Sequence, residues 1–372
     1  MATEKAKAPG LHAIVIGVNN YPHLPTGTGP GKRNEYGKLN QLVSPALSAQ
    51  AISSWLLNER EASQIKLRSL HLLSSSAIAN APTGDIEFAH AAPTINNVAK
   101  AIRKWKSLGD KSAENVLLFY FCGHGFRFGQ TDSLLCQDFG QKTSNHFKGA
   151  LDVQGLLLGM QTCNAQRQLY FFDACRTDMT DFMRQPYSCG EAVINPTGLL
   201  LQPGRQIALW ASTPRNKAYG YLDGRASVFA EGVIAAFRGA AARPAGNGFE
   251  INTSRLKEAI DEYTRARGKG VDQVVHLDHA VRDFAIADLS GNPIVPVSVA
   301  CRDATLHKEA KFLCAATAAA GSCVMRRDEL HEESWDFEVL MGQYDFTAHF
   351  DNNNSLIATN EQVQPPYRRV LL

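Results

Sequence analysis

Short apolar runs alternate with helical periodicity along the first 290 residues of the chain. The apolar runs predict strands at Leu11–Val18, Ile65–Leu73, Asn115–Cys122, Arg167–Asp173, Arg205–Ser212 and Phe284–Leu289. Between them, helical spacing predicts helices at Pro45–Leu57, Thr94–Lys106, Leu151–Met160, Ala226–Arg238 and Ser254–Thr264. This alternation predicts an α/β fold with a mainly parallel sheet flanked by helices, and runs as apolar as Val116–Phe121 indicate a sheet buried on both faces.

The pattern changes after about residue 290. Short strand-like segments, several of them alternating in polarity, are separated by Gly, Asn and Pro turns. They are Val295–Cys301, Lys311–Ala316, Trp335–Leu340, Tyr344–Phe350 and Tyr367–Leu371. We therefore predict a main domain over 10–290 and a small antiparallel β-domain over 291–372. The aromatic residues of the second domain are expected to form its core; they are Trp335, Phe337, Tyr344, Phe346 and Phe350.

The composition is that of a globular protein with a sizeable core. Of 372 residues, 44% are hydrophobic and 20% are charged, and the formal net charge is +2. A charge so close to balance argues against nucleic acid or an anionic membrane surface as the main partner. No apolar run approaches the roughly 20 residues that span a bilayer.

The N-terminal region imitates a signal peptide, because Lys5 and Lys7 precede the apolar run Leu11–Val18. No small-residue cleavage site follows this run, so we interpret it as the first buried strand. The eight cysteines form no CxxC pair. They are typical of buried thiols in a reducing compartment, and we expect a cytoplasmic protein.

Two further motifs are too incomplete to predict a site. Gly27–Lys32 resembles a phosphate-binding loop, but the first glycine of that motif is absent and Pro30 lacks the N–H that such a loop uses. His276 and His279 have no accompanying ligand set, so we predict no metal site and no required cofactor.

Two predicted strands end abruptly on reactive side chains. One runs into Cys122-Gly123-His124-Gly125, and the other runs into Asp173-Ala174-Cys175-Arg176. Functional groups collect at the carboxyl ends of strands in a parallel sheet. If these strands are neighbours, His124 and Cys175 emerge at the same edge.

A cysteine beside a histidine supports nucleophilic catalysis. Cysteine attacks as a thiolate, and imidazole can take the thiol proton and later deliver it to a leaving amine. The backbone N–H groups of Gly125 and Cys175 would form an oxyanion hole. The alternative is that Cys175 is an inert core thiol and His124 a structural histidine, as in an inactive scaffold that acts through protein partners.

With His124 lying 51 residues before Cys175, the chain resembles the caspase and metacaspase superfamily, and most closely its bacterial metacaspase-like (orthocaspase) members. The caspase signature Q-A-C-[RQG]-G has its histidine about 50 residues upstream. Further landmarks are the opening segment Ile14–Asn19, the later segment Ala208–Ser212 and Ser227-Val228-Phe229. The resemblance covers about residues 10–290 and implies a caspase-like fold and a cysteine endopeptidase acting on protein substrates.

The resemblance also implies a preference for a basic substrate residue. Metacaspases carry an aspartate two residues before the nucleophile and cut after Arg or Lys, and Asp173 holds that position here. The alternative is that Asp173 is a structural hydrogen-bonding residue at the strand end. A second acidic pocket residue of the family is replaced by Ser48. Asp138 lies where relatives place an aspartate near the cleft, with capping of a turn as the alternative. Trp210, Ala211 and Ser212 are expected to line the cleft by backbone pairing, with a core role as the alternative for Trp210.

Regulation is expected from the loop at 177–202, which leaves the nucleophile's strand. Cleavage there, after Arg184, would release the site as in a zymogen. Calcium activation is implied by the resemblance alone, and the sequence shows no acidic ligand loop. The C-terminal domain is expected to recruit a substrate or partner, or to hold the enzyme inactive. The resemblance implies a role in bacterial immunity or regulated cell death.

Overall fold

The structure is a computed structural model that describes residues 8–30, 39–58, 65–75, 86–142, 145, 147–178, 190–194, 205–214, 218, 224–268, 273–280, 282–318 and 323–372. Its helices are α1 (Ser44–Asn58), α2 (Ile95–Gly109), α3 (Val153–Met160), α4 (Val228–Ala235), α5 (Thr253–Arg267) and α6 (Ala304–Lys308). A π-helical turn, Ala236–Ala240, extends α4.

The strands up to residue 300 are β1 (Leu11–Gly17), β2 (Leu67–Ser74), β3 (Glu87–Ala91), β4 (Val116–Gly123), β5 (Gly125–Phe128), β6 (Thr131–Leu135), β7 (Ala150–Asp152), β8 (Arg167–Ala174), β9 (Thr177–Asp178), β10 (Arg205–Trp210), β11 (Ala242–Ala245), β12 (Gly248–Asn252), β13 (His276–Ala280), β14 (Ala285–Leu289) and β15 (Ile294–Ala300). The later strands are β16 (Lys311–Ala316), β17 (Cys323–Arg327), β18 (Trp335–Leu340), β19 (Gly342–His349), β20 (Ser355–Val363) and β21 (Arg368–Leu371).

A seven-stranded sheet with the order β13-β10-β8-β4-β1-β2-β3 forms the centre of the first part of the chain. Its strands pair in parallel, except that β13 runs antiparallel to β10. Every residue of β4 is buried, as expected for a sheet covered on both faces. The predicted α/β class, with a mainly parallel sheet flanked by helices, is confirmed.

The apolar side chains of α2 and α3 pack with alternate residues of β1, β4 and β8 in one core. Trp105 of α2 is fully buried and lies 6.1 Å, ring to ring, from both Phe119 and Tyr170. Its indole N–H donates to the carbonyl of His12 at 2.9 Å, so the one polar atom of this ring is satisfied. The core therefore fixes the two strands that carry His124 and Cys175.

The two edges of the sheet differ from expectation. Phe284–Leu289 forms a strand, β14, but that strand belongs to a separate three-stranded sheet with β11 and β12. The edge position beside β10 is taken by β13, whose polar residues gave no strand signal. β3 at the other edge was missed for the same reason, since its residues are exposed or half-buried. Edge strands bury too little surface to require a run of apolar residues.

The chain divides into two compact units. The first comprises Met1–Glu231 and Gly268–Ile286, and the second comprises Gly232–Arg267 and Ala287–Leu372. The domain boundary at residue 290 stays a prediction. The compact units differ from it, because residues 232–267 cluster with the C-terminal strands. Arg267 of α5 shows why: its Nε lies 3.6 Å from the Asp336 carboxylate and donates to the Tyr367 hydroxyl at 3.3 Å.

The second unit contains the sheets β18-β15-β21 and β17-β16-β19-β20. All of their strand pairs are antiparallel except β15 with β21. The predicted aromatic core is confirmed, with Phe350 at its partly buried margin and four buried rings, Trp335, Phe337, Tyr344 and Phe346.

Candidate active site

The strands β4 and β8 are neighbours, as predicted, and their register places His124 beside Cys175. The parallel ladder ends with the pairs Cys122↔Asp173 and Gly123↔Ala174. His124 directly follows β4, and Cys175 directly follows β8. Neighbouring strands lie about 4.8 Å apart. The two residues therefore leave the sheet side by side at its carboxyl edge.

His124 is held by contacts from two preceding segments. Its backbone N–H donates to the Tyr21 hydroxyl at 2.8 Å, and the Tyr21 ring lies 4.9 Å from the imidazole. Its Nε2 lies 2.6 Å from the carbonyl oxygen of Asn40. The His124 carbonyl in turn accepts the N–H of Leu135 at 2.9 Å. Both the backbone and the ring of His124 are thus fixed.

The Asn40 contact defines the tautomer of His124. A carbonyl oxygen only accepts hydrogen bonds, so Nε2 carries the hydrogen. In a neutral imidazole, Nδ1 then has the free electron pair. Burial lowers the pKa of His124, and the bond to the Asn40 carbonyl opposes this in part. The ring is therefore neutral at pH 7 and competent to accept a proton.

Cys175 is half-buried and forms no disulfide. Its sulfur contacts the backbone of Ala218, the single described residue between 215 and 223. The Ala218 N–H donates to Sγ at 3.3 Å, and the Ala218 carbonyl lies 3.7 Å from Sγ. An N–H donor favours the thiolate, and the carbonyl accepts from the thiol, so one residue serves both states of the sulfur.

The backbones of Gly125 and Cys175 approach closely. A methyl group built on Gly125 would lie 2.7 Å from the Cys175 carbonyl oxygen and 3.1 Å from Cβ of Ala174. Only glycine fits this contact without a shift of the nucleophile's strand. The two residues predicted to supply the oxyanion hole are therefore packed against each other.

Asp173 lies in a buried hydrogen-bond network behind the nucleophile. Its Oδ2 accepts the hydroxyl of Tyr120 at 2.8 Å and the hydroxyl of Ser227. The Ser227 N–H donates to Oγ of Ser48 at 2.9 Å, which places Ser48 in the same network. Burial raises the pKa of Asp173, and the hydroxyls of Ser227 and Tyr120 and the Cys122 thiol lower it in part. The network orients the carboxylate and links β8 to α1.

The other predicted substrate residues have structural contacts. Asp138 accepts the N–H of Ile95, the first residue of α2, at 2.9 Å, which is the capping alternative. Trp210 is fully buried, with its ring centroid 4.5 Å from that of Phe172. These contacts are all within the protein, so the substrate roles of Asp138 and Trp210 stay predictions.

Ala211 and Ser212 are also buried, and both hold β10 against β8. The Ala211 N–H donates to the Phe172 carbonyl at 2.9 Å, and the Ser212 hydroxyl donates to the Ala174 carbonyl at 3.1 Å. The substrate roles of these two residues also stay predictions. Arg184 and most of the loop 177–202 lie outside the described residues.

Sequence reasoning missed the residues that hold the pair in place. Tyr21 follows β1, a direct neighbour of β4, so its place at the same sheet edge was the signal that could have revealed it. Arg176 and Asp132 are both fully buried and form an ion pair at 2.7 Å. Asn40 and Ala218 act through backbone atoms and leave no residue-type signal.

The family model of the caspase domain of peptidase family C14 matches residues 11–365. This chain belongs to the caspase domain family. The assignment extends over both compact units, whereas the sequence resemblance covered only residues 10–290.

This caspase-family chain is 26% identical over 180 residues to the uncharacterized protein y4kE of Sinorhizobium fredii. That match covers 46% of the chain and 50% of the relative, so the chain spans about half the length of this curated relative. Among solved structures, the crystal structure of caspase-1 from Spodoptera frugiperda matches with a TM-score of 0.43 and 11% identity, over 73% of this chain and 87% of that one.

Within the described ranges, no group of three or more His, Cys, Asp or Glu side chains is arranged to hold a metal ion. Calcium activation stays an expectation from the resemblance, and no step is assigned to calcium. His276, on β13, lies 3.5 Å from Asp278. Among the described helices, none is long and apolar enough to cross a membrane.

Proposed function

We propose that this chain is a cysteine endopeptidase in which Cys175 is the nucleophile and His124 the general base. One observation carries the proposal: the pair Gly123↔Ala174 ends the parallel ladder, so the two reactive residues follow at equivalent positions on neighbouring strands. Membership of the caspase domain family supports the same reaction class.

The hydrogen-bond pattern suggests how the proton moves. Because the Asn40 carbonyl holds the Nε2 hydrogen, Nδ1 takes the proton of the Cys175 thiol. The thiolate attacks the peptide carbonyl carbon, and the carbonyl π electrons move to the oxygen. The N–H groups of Gly125 and Cys175 stabilise that oxyanion, an effect typically worth roughly 100- to 1,000-fold in rate per donor.

The intermediate then collapses. The carbon–nitrogen bond breaks, and the amine leaves with the proton that His124 holds. His124 next removes a proton from water, which attacks the thioester and releases the carboxylic acid and the Cys175 thiol.

Asp173 is proposed to select Arg or Lys at the cleaved bond. The carboxylate is buried, and its described partners Tyr120, Ser227 and Cys122 are uncharged groups. A buried carboxylate without a cation is costly, so a substrate guanidinium or ammonium would supply the missing charge. An acidic substrate residue would meet like charge instead.

Two regulatory elements complete the proposal. The loop 177–202 continues directly from the nucleophile's strand, and cleavage after Arg184 would free it. Residues 291–372 are proposed to recruit protein substrates or partners. Since the second compact unit also contains residues 232–267, truncation near 292 would cut through it. The exposed side chain of Ile357 offers a milder test.

The decisive experiment compares wild type with Cys175→Ala on a peptide library that varies the residue before the cleaved bond. We expect wild type to cleave after Arg and Lys and Cys175→Ala to cleave nothing. Cleavage after Asp would overturn the specificity assignment. Equal activity of both proteins, or full biological effect of Cys175→Ala, would overturn the peptidase proposal in favour of a scaffold.

Recruitment is tested by comparing intact proteins with peptides. A native proteome and the peptides from its digestion at Glu residues are treated with wild type and with Ile357→Asp. We expect the variant to cleave the same sites in peptides at the wild-type rate and in intact proteins more slowly. Equal rates in both samples would contradict recruitment through this surface.

A further inference from the structure

Arg176 and Asp132 form a fully buried ion pair one residue from the proposed nucleophile. The Nε and Nη2 atoms of Arg176 donate to Oδ1 and Oδ2 of Asp132 at 3.1 and 2.7 Å. Both side chains have no exposed surface. A two-pronged contact of this kind fixes the orientation of both partners as well as their distance.

The pair joins the two segments that carry the reactive residues. Asp132 lies on β6, in the hairpin whose first strand, β5, begins directly after His124. Arg176 directly follows Cys175 and precedes β9, which pairs in parallel with β5 through Phe126↔Thr177. The hairpin after the imidazole and the chain after the sulfur therefore enter one four-stranded sheet and are clamped by one ion pair.

Further contacts hold each partner of the pair in a single position. Asp132 Oδ2 also accepts Arg127 Nη1 and Gln154 Nε2, each at 3.2 Å. The Arg176 guanidinium lies 4.6 Å from the centre of the Trp210 ring, and its Nη2 lies 3.4 Å from Asp278. Among the described residues, Arg176 Nη1 and the Trp210 indole N–H find no acceptor. These unmet donors add to the free-energy cost of burying the pair.

We propose that the Arg176–Asp132 pair is a positioning device that fixes the distance between Cys175 and His124. The contacts described above join the two residues to each other and to Arg127, Gln154, Asp278 and Trp210. The inference rests on the proposed peptidase function, because it assigns the pair to the transfer of the thiol proton to the imidazole. In enzymes generally, a misplacement of about 1 Å can cost about 100-fold in rate.

The test uses four variants of the full chain. Arg176→Met and Asp132→Asn each leave one buried partner unpaired, so both could fold poorly. The double variant Arg176→Met/Asp132→Leu replaces the pair by apolar groups and keeps the protein folded, as a thermal melt would show. We expect kcat of the double variant to fall at least tenfold with KM within twofold of wild type. Arg176→Lys should retain an intermediate kcat, because lysine keeps the positive charge but cannot donate to both oxygens of the Asp132 carboxylate in the same two-pronged geometry.

The control is Arg255→Met, which removes an exposed ion pair with Glu258 on α5 and should keep the wild-type kcat. A folded double variant with the wild-type kcat and pH profile would overturn the positioning role. Loss of stability without loss of kcat in the folded fraction would also overturn it, because that is the result of a purely structural pair.

A second readout separates this inference from the peptidase proposal. The rate at which iodoacetamide alkylates Cys175 is measured against pH in wild type, in His124→Ala and in the double variant. We expect the double-variant profile to move toward that of His124→Ala. If wild type cleaves no peptide but this shift occurs, the peptidase proposal fails and the positioning role stands. An unchanged double-variant profile would overturn the positioning role even in an active enzyme.

Discussion

The hydroxyl of Tyr21 accepts the backbone N–H of His124 at 2.8 Å, although the two residues are 103 positions apart. The same hydroxyl donates to the carbonyl of Leu135 at 3.3 Å. Tyr21 is fully buried, and burial raises the pKa of its phenol well above the usual range. A neutral phenol therefore ties the segment after β1 to both ends of the hairpin β5–β6.

Tyr21→Phe should weaken both catalysis and stability. The buried His124 N–H loses its acceptor, which costs about 1–3 kcal/mol of unfolding free energy. The imidazole loses a backbone anchor, so we expect kcat on a basic peptide to fall roughly tenfold. Peptide cleavage and urea denaturation measure the two effects.

Tyr170→Phe is the matched control. Its hydroxyl is also buried and donates to Oε1 of Gln168 at 2.7 Å, within the core. We expect a comparable loss of stability with kcat unchanged. An equal fall of kcat in both variants would mean that Tyr21 acts only through stability.

Gly125→Ala should inactivate the protein while leaving it folded. The added methyl group would lie 2.7 Å from the Cys175 carbonyl oxygen, so the nucleophile's backbone must shift. We expect kcat to fall roughly 100-fold, comparable to the loss of one oxyanion donor. Peptide cleavage measures this, and the far-ultraviolet circular dichroism spectrum should stay that of wild type.

Gly248→Ala controls for the general cost of replacing a glycine in a strand. A methyl group there meets no atom within 4 Å. Wild-type activity is expected. Full activity of Gly125→Ala would contradict the close packing of the two backbones.

The buried strands and the reactive pair were predictable from the sequence for physical reasons. A strand covered on both faces requires an unbroken apolar run, and Val116–Phe121 provides one that ends beside His124. The run before Cys175 ends in the same way. The ends of these apolar runs therefore predict where the buried strands end and where reactive side chains can reach the edge of the sheet.

The supporting contacts were not predictable in this way. Asn40 and Ala218 contact the reactive residues through backbone atoms. Every residue type has these atoms, so no pattern of side chains in the sequence predicts the contacts. Arg176 and Asp132 are 44 residues apart in the sequence, so their spacing does not show that they are paired. Each side chain considered alone would be expected at the surface, because charged residues are mostly exposed. Only the register of β5 with β9 brings the two together.

Ser227→Ala should move the acid limb of activity on basic peptides to higher pH. The Ser227 hydroxyl lowers the pKa of Asp173 against the larger, raising effect of burial. Without that hydroxyl the pKa rises further, and the carboxylate is neutralised at a higher pH. Binding of an Arg or Lys side chain is then lost earlier as the pH falls. The measurement is kcat/KM against pH.

Tyr120→Phe removes the second hydroxyl from Asp173 and should shift the limb in the same direction. The alkylation profile of Cys175 is the control, because it depends on His124 and not on Asp173. A limb that moves together with the alkylation profile would assign the titration to His124. A limb that stays in place would contradict the pocket role of Asp173.

Acid should destabilise the chain through His12, a buried residue of β1. Burial lowers the pKa of His12 from 6.5 to about 4, and its Nδ1 lies 2.9 Å from the Ser69 hydroxyl. The folded state thus holds this imidazole neutral where the unfolded chain would protonate it. The resulting stability is complete above pH 6.5 and is lost as the pH falls toward 4, by about 3 kcal/mol.

His12→Asn keeps a polar group near Ser69 without this titration, so urea denaturation at several pH values should show a shallower loss of stability than wild type. His331→Asn changes an imidazole that is exposed in the folded chain and should keep the wild-type loss. Parallel curves for wild type and His12→Asn would show that another group causes the acid sensitivity.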